Sequence, residues 1–174
     1  MKKMSATHWQ NSNRSLYFEF WSAKGLMSLK ENLLSDMKGA LRAKESLKLN
    51  TIRGLISEIK NREIDLRHEL GDDEVISIIS TQIKKRKEAA ALFKKGGRDD
   101  LFEKENQELV ILQEYLPEQV SEDELRTRVQ EVVKELGVVE MKDLGRVMKA
   151  IIPEFKGRAD NGQIKNLVAE CLDQ

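Results

Sequence analysis

Basic residues near the C-terminus have the spacing in this chain that best suits chemistry, and that chemistry is anion binding. Lys142, Arg146 and Lys149 are separated by four and three residues, so on a helix they share one face. Further cations follow in residues 156–165, around the start of another helical pattern, where free N–H groups and the helix dipole favour anions. The predicted contacts to RNA phosphates are Lys142, Arg146, Lys149, Lys156, Arg158 and Lys165.

The loop "KGRADNG", residues 156–162, has two interpretations. We expect Gly157 to permit a turn that a residue with a Cβ would resist, and Asp160 to cap the following helix. Arg158 then either faces solvent near the helix start, where a phosphate could dock, or pairs with a nearby acid. The sequence leaves both possibilities open for Arg158.

A second basic stretch is "KKRK", residues 84–87, followed by Lys94, Lys95 and Arg98. Most runs of charge are simply the solvated face of a helix. The net charge of the whole chain is zero, which weakens a general attraction to nucleic acid. We therefore interpret this stretch first as a solvated face.

Residues suited to catalysis are scarce. The histidines are His8 and His68, and the latter falls at the polar end of a predicted helix. Cys171, the single cysteine, lies in an apolar pattern and is expected to be a packed thiol. No nucleophile with its base, no Cys/His metal spacing and no phosphate loop occurs. The sequence predicts no catalytic residue, no metal site and no cofactor.

Composition favours an all-α protein. Of the 174 residues, 34% are charged and only 5% aromatic, and two prolines and ten glycines interrupt the chain. A lone cysteine suits a reducing compartment, so we expect a cytoplasmic location. No apolar run is long enough to span a bilayer, and we expect no membrane partner.

Four apolar stripes at helical spacing occupy residues 27–117 and predict an antiparallel helical bundle. Ser28 is placed to cap the first helix, Ile64 is assigned to the second stripe, and Asp99 or Asp100 is expected to cap the fourth helix. Residues 1–26 have no sustained period. We interpret them as a non-native or disordered extension, with Met27 as the true start.

Pro117 ends the bundle, because the residue before a proline avoids the helical region. Ser121 and Glu124 have the spacing of a capping box that opens a fifth helix. Two more apolar patterns follow, separated by Pro153 and the loop 156–162. Residues 118–174 therefore predict a small three-helix module.

Four stretches in order carry a family resemblance: "TIRGLISEIKNREI", "KKGGRDDLFEKENQELVILQEYLP", "EYLPEQVSEDEL" and "KDLGRVMKAIIPEFKGRADNGQIKNLV". Residues 27–174 resemble the YqeY-like proteins of the GatB/YqeY family. These are similar to the C-terminal tail domain of the B subunit of the bacterial tRNA-dependent amidotransferase. The resemblance implies an all-helical fold in two parts and, for the tail, a role in holding tRNA.

Three functions follow as expectations. The first is a tRNA-binding accessory protein that works with a protein partner in translation and is not itself catalytic. The second is a helical protein–protein adaptor, which would expose an apolar patch instead of a positive surface. The last in order is an amidotransferase-type carbon–nitrogen ligase with glutamine as amido donor. Only family resemblance suggests it, because this chain is similar to the tail and lacks the catalytic core.

Overall fold

The computed structural model describes residues 27–138 and 140–172, and all regular structure in those ranges is helical. The all-α prediction is therefore confirmed. The predicted extension, residues 1–26, lies outside the described residues. The α-helices of the described part are α1 (Leu29–Ala43), α2 (Ser46–Leu66), α3 (Asp72–Lys95), α4 (Asp99–Gln113), α5 (Glu122–Leu136), α6 (Leu144–Ile151) and α7 (Asn161–Leu172). Two short 3-10 turns flank α6, at Met141–Asp143 and Ile152–Phe155.

The described chain divides into two compact units between Leu116 and Pro117. Helices α1 to α4 form the first unit, in which the hairpin of α3 and α4 is closely packed. Helices α5 to α7 and both 3-10 turns form the second unit, where α7 packs against α5 and α6.

The start of α1 is capped as the sequence predicts, and the start of α4 is not. Ser28 caps α1 through a complete capping box, in which Ser28 Oγ accepts from the Glu31 N–H and the Glu31 carboxylate accepts from the Ser28 N–H. At α4, the expectation of an Asp99 or Asp100 cap is wrong. Arg98 is the N-cap residue, and its guanidinium instead forms two bonds of 3.0 and 2.9 Å with Asp100.

The core of the first unit contains one face of each of its four helices. Its buried residues are Leu29, Leu33, Ile52, Leu55, Ile59, Leu70, Val75, Ile76, Ile79, Ile83, Leu112 and Tyr115. Ile64 was assigned to this core from its spacing, but it is 72% exposed. It follows Ile59 by five residues and therefore points away from the buried face of α2, whereas Glu63, four residues after Ile59, lies on the side that bonds to Lys30.

The second unit has its own core. The buried residues are Leu125, Val129, Val132, Val138, Val147, Ile151, Phe155, Ile164, Leu167, Val168 and Leu172. Cys171 is half-buried and packs against this cluster. Phe155, which comes directly before the loop of the predicted site, belongs to the same core as the apolar stripes of α5, α6 and α7.

A hydrogen-bonded ion pair joins the N-terminal end of α1 to the C-terminal end of α2. Lys30 Nζ on α1 donates to Glu63 Oε1 on α2 at 2.7 Å, and the same oxygen accepts from the Leu70 N–H at 3.0 Å. These bonds lower the pKa of the Glu63 carboxyl, with the Lys30 hydrogen bond as the largest cause. The lowered pKa means that the folded state favours the ionised form of Glu63.

The Glu63 link predicts a pH dependence of stability. A lowered folded pKa adds stability that is present above the ordinary glutamate pKa of about 4.3 and is lost as the pH falls through the folded value. The advantage of wild type over Glu63→Gln should therefore shrink below about pH 4.3. Thermal unfolding of both proteins from pH 7 to pH 3 measures this difference in stability. Glu69→Gln, at an exposed position in the segment between α2 and α3, is the control. A constant difference across this range would contradict the account.

Candidate nucleic-acid interface

The loop before α7 is a tight turn anchored on Phe155. The Phe155 carbonyl accepts from the Arg158 N–H at 2.9 Å and from the Ala159 N–H at 3.1 Å. Gly157 sits at the bend with φ of +75°, a left-handed conformation that costs a residue with a Cβ free energy. The buried Phe155 ring fixes the position of the whole turn.

The same loop is bonded to the segment that opens the second unit. The Val120 N–H donates to the Arg158 carbonyl at 2.9 Å, and Gln119 Nε2 donates to the Gly157 carbonyl at 2.7 Å. One backbone bond and one side-chain bond therefore join these two irregular stretches.

Asp160 occupies the start of α7. Its Oδ1 accepts from the Gly162 N–H at 2.8 Å and from the Gln163 N–H at 3.3 Å. An added Cβ at Gly162 would lie only 2.8 Å from that oxygen, so glycine leaves room for the cap. A carboxylate that already fills the helix start competes with any phosphate for the same N–H groups.

Arg158 takes the second of the two possibilities that the sequence left open, because it pairs with a nearby acid. Its Nη2 lies 3.4 Å from Glu124 Oε1, and its Nε donates to the Glu118 carbonyl at 3.4 Å. The guanidinium also lies over the Phe155 ring, 5.9 Å from the centroid, and the side chain is 21% exposed. Arg158 therefore holds the loop against the start of α5 and is not left for a ligand.

The predicted capping box of α5 is only half formed, for the same reason. Ser121 Oγ accepts from the Glu124 N–H at 3.2 Å. The Glu124 carboxylate, which the box would return to the Ser121 N–H, instead pairs with Arg158. A long-range ion pair has taken the place of the local bond.

The remaining predicted contacts differ in their surroundings. Lys142 is exposed and pairs with Glu140 at 2.8 Å, and Lys156 is half-buried. Arg146 and Lys149 on α6 and Lys165 on α7 are exposed and form no ion pair with any described residue. Three of the six predicted cations are therefore paired or partly covered, and three are open.

Charge is unevenly distributed among the helices of this unit. Helix α6 carries two cations, Arg146 and Lys149, and no carboxylate. Helix α5 carries five carboxylates and three cations. Val147 and Ile151 face the core, so the two α6 cations lie on the exposed side of their helix. This positive face is the feature of the unit best suited to phosphate groups.

Arg128 was not predicted from the sequence, and it joins α5 to the turn Ile152–Phe155. It is 7% exposed, and its guanidinium forms a two-bond pair with Glu154, at 2.8 and 3.0 Å. Nη1 also donates to Glu131 at 3.0 Å and to Glu135 at 3.1 Å. These bonds, the pair with Glu154 first, raise the pKa of Arg128 above its ordinary value, although burial acts in the opposite direction.

The sequence did contain a signal for Arg128. It lies three residues after Leu125 and four before Val132, within the apolar stripe of α5, where an unpaired cation would be costly. Only a paired arginine fits such a position. The partner on the far side of the unit, Glu154, could not be named from spacing along one helix.

Within the described residues, no helix is long and apolar enough to cross a membrane, and no group of His, Cys, Asp or Glu is arranged to hold a metal ion. The fold and the charged faces define an all-α protein of two helical units. In the second unit, α6 exposes basic side chains that form no ion pair with described residues.

The comparisons with known proteins give its family. The family model described as "Yqey-like protein" matches residues 30–172, so the chain belongs to the YqeY-like family. It is 37% identical over 141 residues to altered inheritance of mitochondria protein 41, mitochondrial, of Vanderwaltozyma polyspora, covering 77% of this chain and 71% of that one. The protein of that name from Pyrenophora tritici-repentis is 35% identical over 144 residues, with 80 and 78% covered. The one from Saccharomyces cerevisiae (strain YJM789) is 31% identical over 150 residues, with 86 and 80% covered.

The cap at Asp160 gives a prediction about stability. Asp160→Ala should lower the free energy of unfolding by about 1 kcal/mol, because two N–H groups at the start of α7 lose their acceptor. Asn166→Ala, an exposed substitution in the same helix, is the control and should not destabilise. Urea unfolding followed by circular dichroism measures both. Equal stability of wild type and Asp160→Ala would show that the cap has no energetic role.

The pairing of Arg128 predicts a larger loss of stability when this residue is replaced. Arg128→Met should destabilise the protein by about 1.5–3 kcal/mol, because the partly buried Glu154 loses its two-bond partner, whereas Glu131 and Glu135 are more than half exposed and can be hydrated. Arg126→Met is the matched control on the same helix. Arg126 is 40% exposed and pairs with Glu122 and Glu170 at the surface, so its loss should change stability little. Unfolding of both variants at the same urea concentration would contradict a special role of Arg128 in stability.

Proposed function

We propose that this chain is a tRNA-binding accessory protein that is not itself catalytic and that contacts RNA through its second helical unit. The observation that carries the proposal is the pair Arg146 and Lys149, exposed on α6 without an ion pair among the described residues. The resemblance to the tail domain of the tRNA-dependent amidotransferase supports tRNA as the ligand. Ligase activity is not part of the proposal, because the resemblance does not extend to the catalytic core.

The proposed contacts are narrower than those expected from the sequence. Arg146, Lys149 and Lys165 are the principal ones, and Lys142 can join if it exchanges Glu140 for a phosphate. Arg158 and the start of α7 are left out, because the Arg158 side chain is only 21% exposed and Asp160 already caps the helix. The RNA would therefore lie along α6 and the exposed side of α7 and not at the loop.

The compartment and partners belong to the same proposal. A single half-buried cysteine suits a reducing compartment, and we propose the cytoplasm, although the relatives carry the word "mitochondrial" in their names. A protein partner in translation is proposed with it. The adaptor function stays as a second candidate, because Leu34 and Leu41, seven residues apart on α1, are 40 and 56% exposed.

The experiment is a titration of unfractionated tRNA with wild type and variants across a salt series. Arg146→Ala and Lys149→Ala should each weaken binding and reduce the slope of log affinity against log salt by roughly one. Lys134→Ala is the matched control. That lysine is also exposed and forms no ion pair with a described residue, but its helix is rich in carboxylates.

Three outcomes are distinct. Loss of slope in the α6 variants and not in Lys134→Ala supports the proposed interface. An equal loss in all three variants would mean general electrostatic attraction without a defined site. Absence of salt-dependent binding by wild type would end the RNA proposal and leave the adaptor function, which the exposed leucines of α1 would then carry.

A further inference from the structure

A second basic surface lies on α3, in the other helical unit. Residues 84–95 of this helix contain six cations and one carboxylate, Glu88. Lys84, Lys85 and Lys87 are exposed near the middle of the helix, and Lys94 and Lys95 are in its last turn. We call Lys84, Lys85 and Lys87 the α3 lysine cluster.

Arg86, which lies between Lys85 and Lys87 in the sequence, pairs with carboxylates of α4 that could otherwise pair with these lysines. It turns toward α4, where Nη1 donates to Glu105 at 2.9 Å and also contacts Glu108. The side chains of Arg86, Glu105 and Glu108 are only 12–23% exposed. The nearest row of α4 carboxylates is thus drawn into the hairpin, and the α3 lysine cluster forms no ion pair with a described residue.

The end of the hairpin is less positive than the sequence suggests. Arg98 is bonded to Asp100, and Lys94 lies over the Phe102 ring at 5.2 Å from its centroid. Asp99 and Glu103 are exposed on α4 close to the same end in sequence. The open positive charge is therefore centred on the α3 lysine cluster, with Lys95 extending it.

The form of this surface suits a phosphate chain in water better than a lipid surface. The apolar side of α3 is buried in the core, through Val75, Ile79 and Ile83, so it cannot enter a bilayer. Leu92, at 68% exposure, is the one large apolar side chain of α3 that is open. At a rise of about 1.5 Å per residue, Lys84 to Lys95 covers about 16 Å, enough for several phosphates of one strand.

We propose that the α3 lysine cluster is a second RNA-backbone contact, separate from the one on α6. It rests on the proposed function only in taking RNA as the ligand. Lysines at this position supply point charges without base recognition, so the contact adds affinity and salt dependence and not sequence preference.

The test uses the full chain with Lys84, Lys85 and Lys87 all changed to Gln. Unfractionated tRNA is titrated across a salt series, and the log–log slope should fall by about two to three relative to wild type. The matched control changes Lys38, Arg53 and Lys60 to Gln, which removes the same charge from exposed positions of the same unit that form no ion pair with described residues. The control should keep most of the wild-type slope. Circular dichroism of both variants checks that the helices remain.

The outcomes separate this inference from the proposed function. A full slope in the Lys84/Lys85/Lys87 variant overturns the inference, whatever the α6 variants do. A reduced slope there with unchanged binding in Arg146→Ala and Lys149→Ala supports the inference and removes the α6 interface. An equal loss in the Lys38/Arg53/Lys60 control overturns it as a local site. Binding of poly-L-glutamate but not tRNA, with the same lysine dependence, would overturn it in favour of an acidic protein partner.

Discussion

The second unit depends on the requirement that the buried guanidinium of Arg128 be paired. An arginine held at 7% exposure in the apolar stripe of α5 must find carboxylates, and the strongest pair is with Glu154. That pair fixes the turn Ile152–Phe155 against α5. The Phe155 carbonyl then holds the bend at Gly157, which sets where α7 begins. This ion pair thus fixes the turn that leads into the loop, and Gly157 and Asp160 then shape the loop itself.

The ion pairs that stabilise the fold also determine which cations remain available to a ligand. Arg158 and Asp160 stand out in the sequence, but the first holds the loop to α5 and the second caps α7. Arg146 and Lys149 are less conspicuous, yet α6 places them at the surface with no carboxylate of its own. To identify the cations that can bind a ligand, those that already form ion pairs within the fold must first be set aside. In the first unit, Arg86 pairs with Glu105 within the fold, and its lysine neighbours do not form such pairs with described residues.

Local patterns predicted most of what local chemistry controls, although the expected Asp99 or Asp100 cap of α4 did not form. The apolar stripes gave the helices, and Ser28, Ser121 and Asp160 lie at helix starts as a capping residue should. Predictions that required knowledge of other elements did not succeed. Glu124 pairs across the unit with Arg158 instead of closing its box, and Arg158 is 21% exposed instead of facing solvent. Both depend on where a second element lies, which spacing along one helix does not encode.

The most direct test of the central claim, that RNA lies along α6, is lysine footprinting by brief acylation and mass spectrometry. Lys149 and Lys165 should lose reactivity when tRNA is added at low salt and regain it at high salt, because phosphate contacts are screened. Lys134, exposed on the carboxylate-rich α5, should react equally with and without tRNA. Unchanged reactivity of Lys149 and Lys165 in the presence of bound tRNA, or protection of Lys134 alone, would contradict the account.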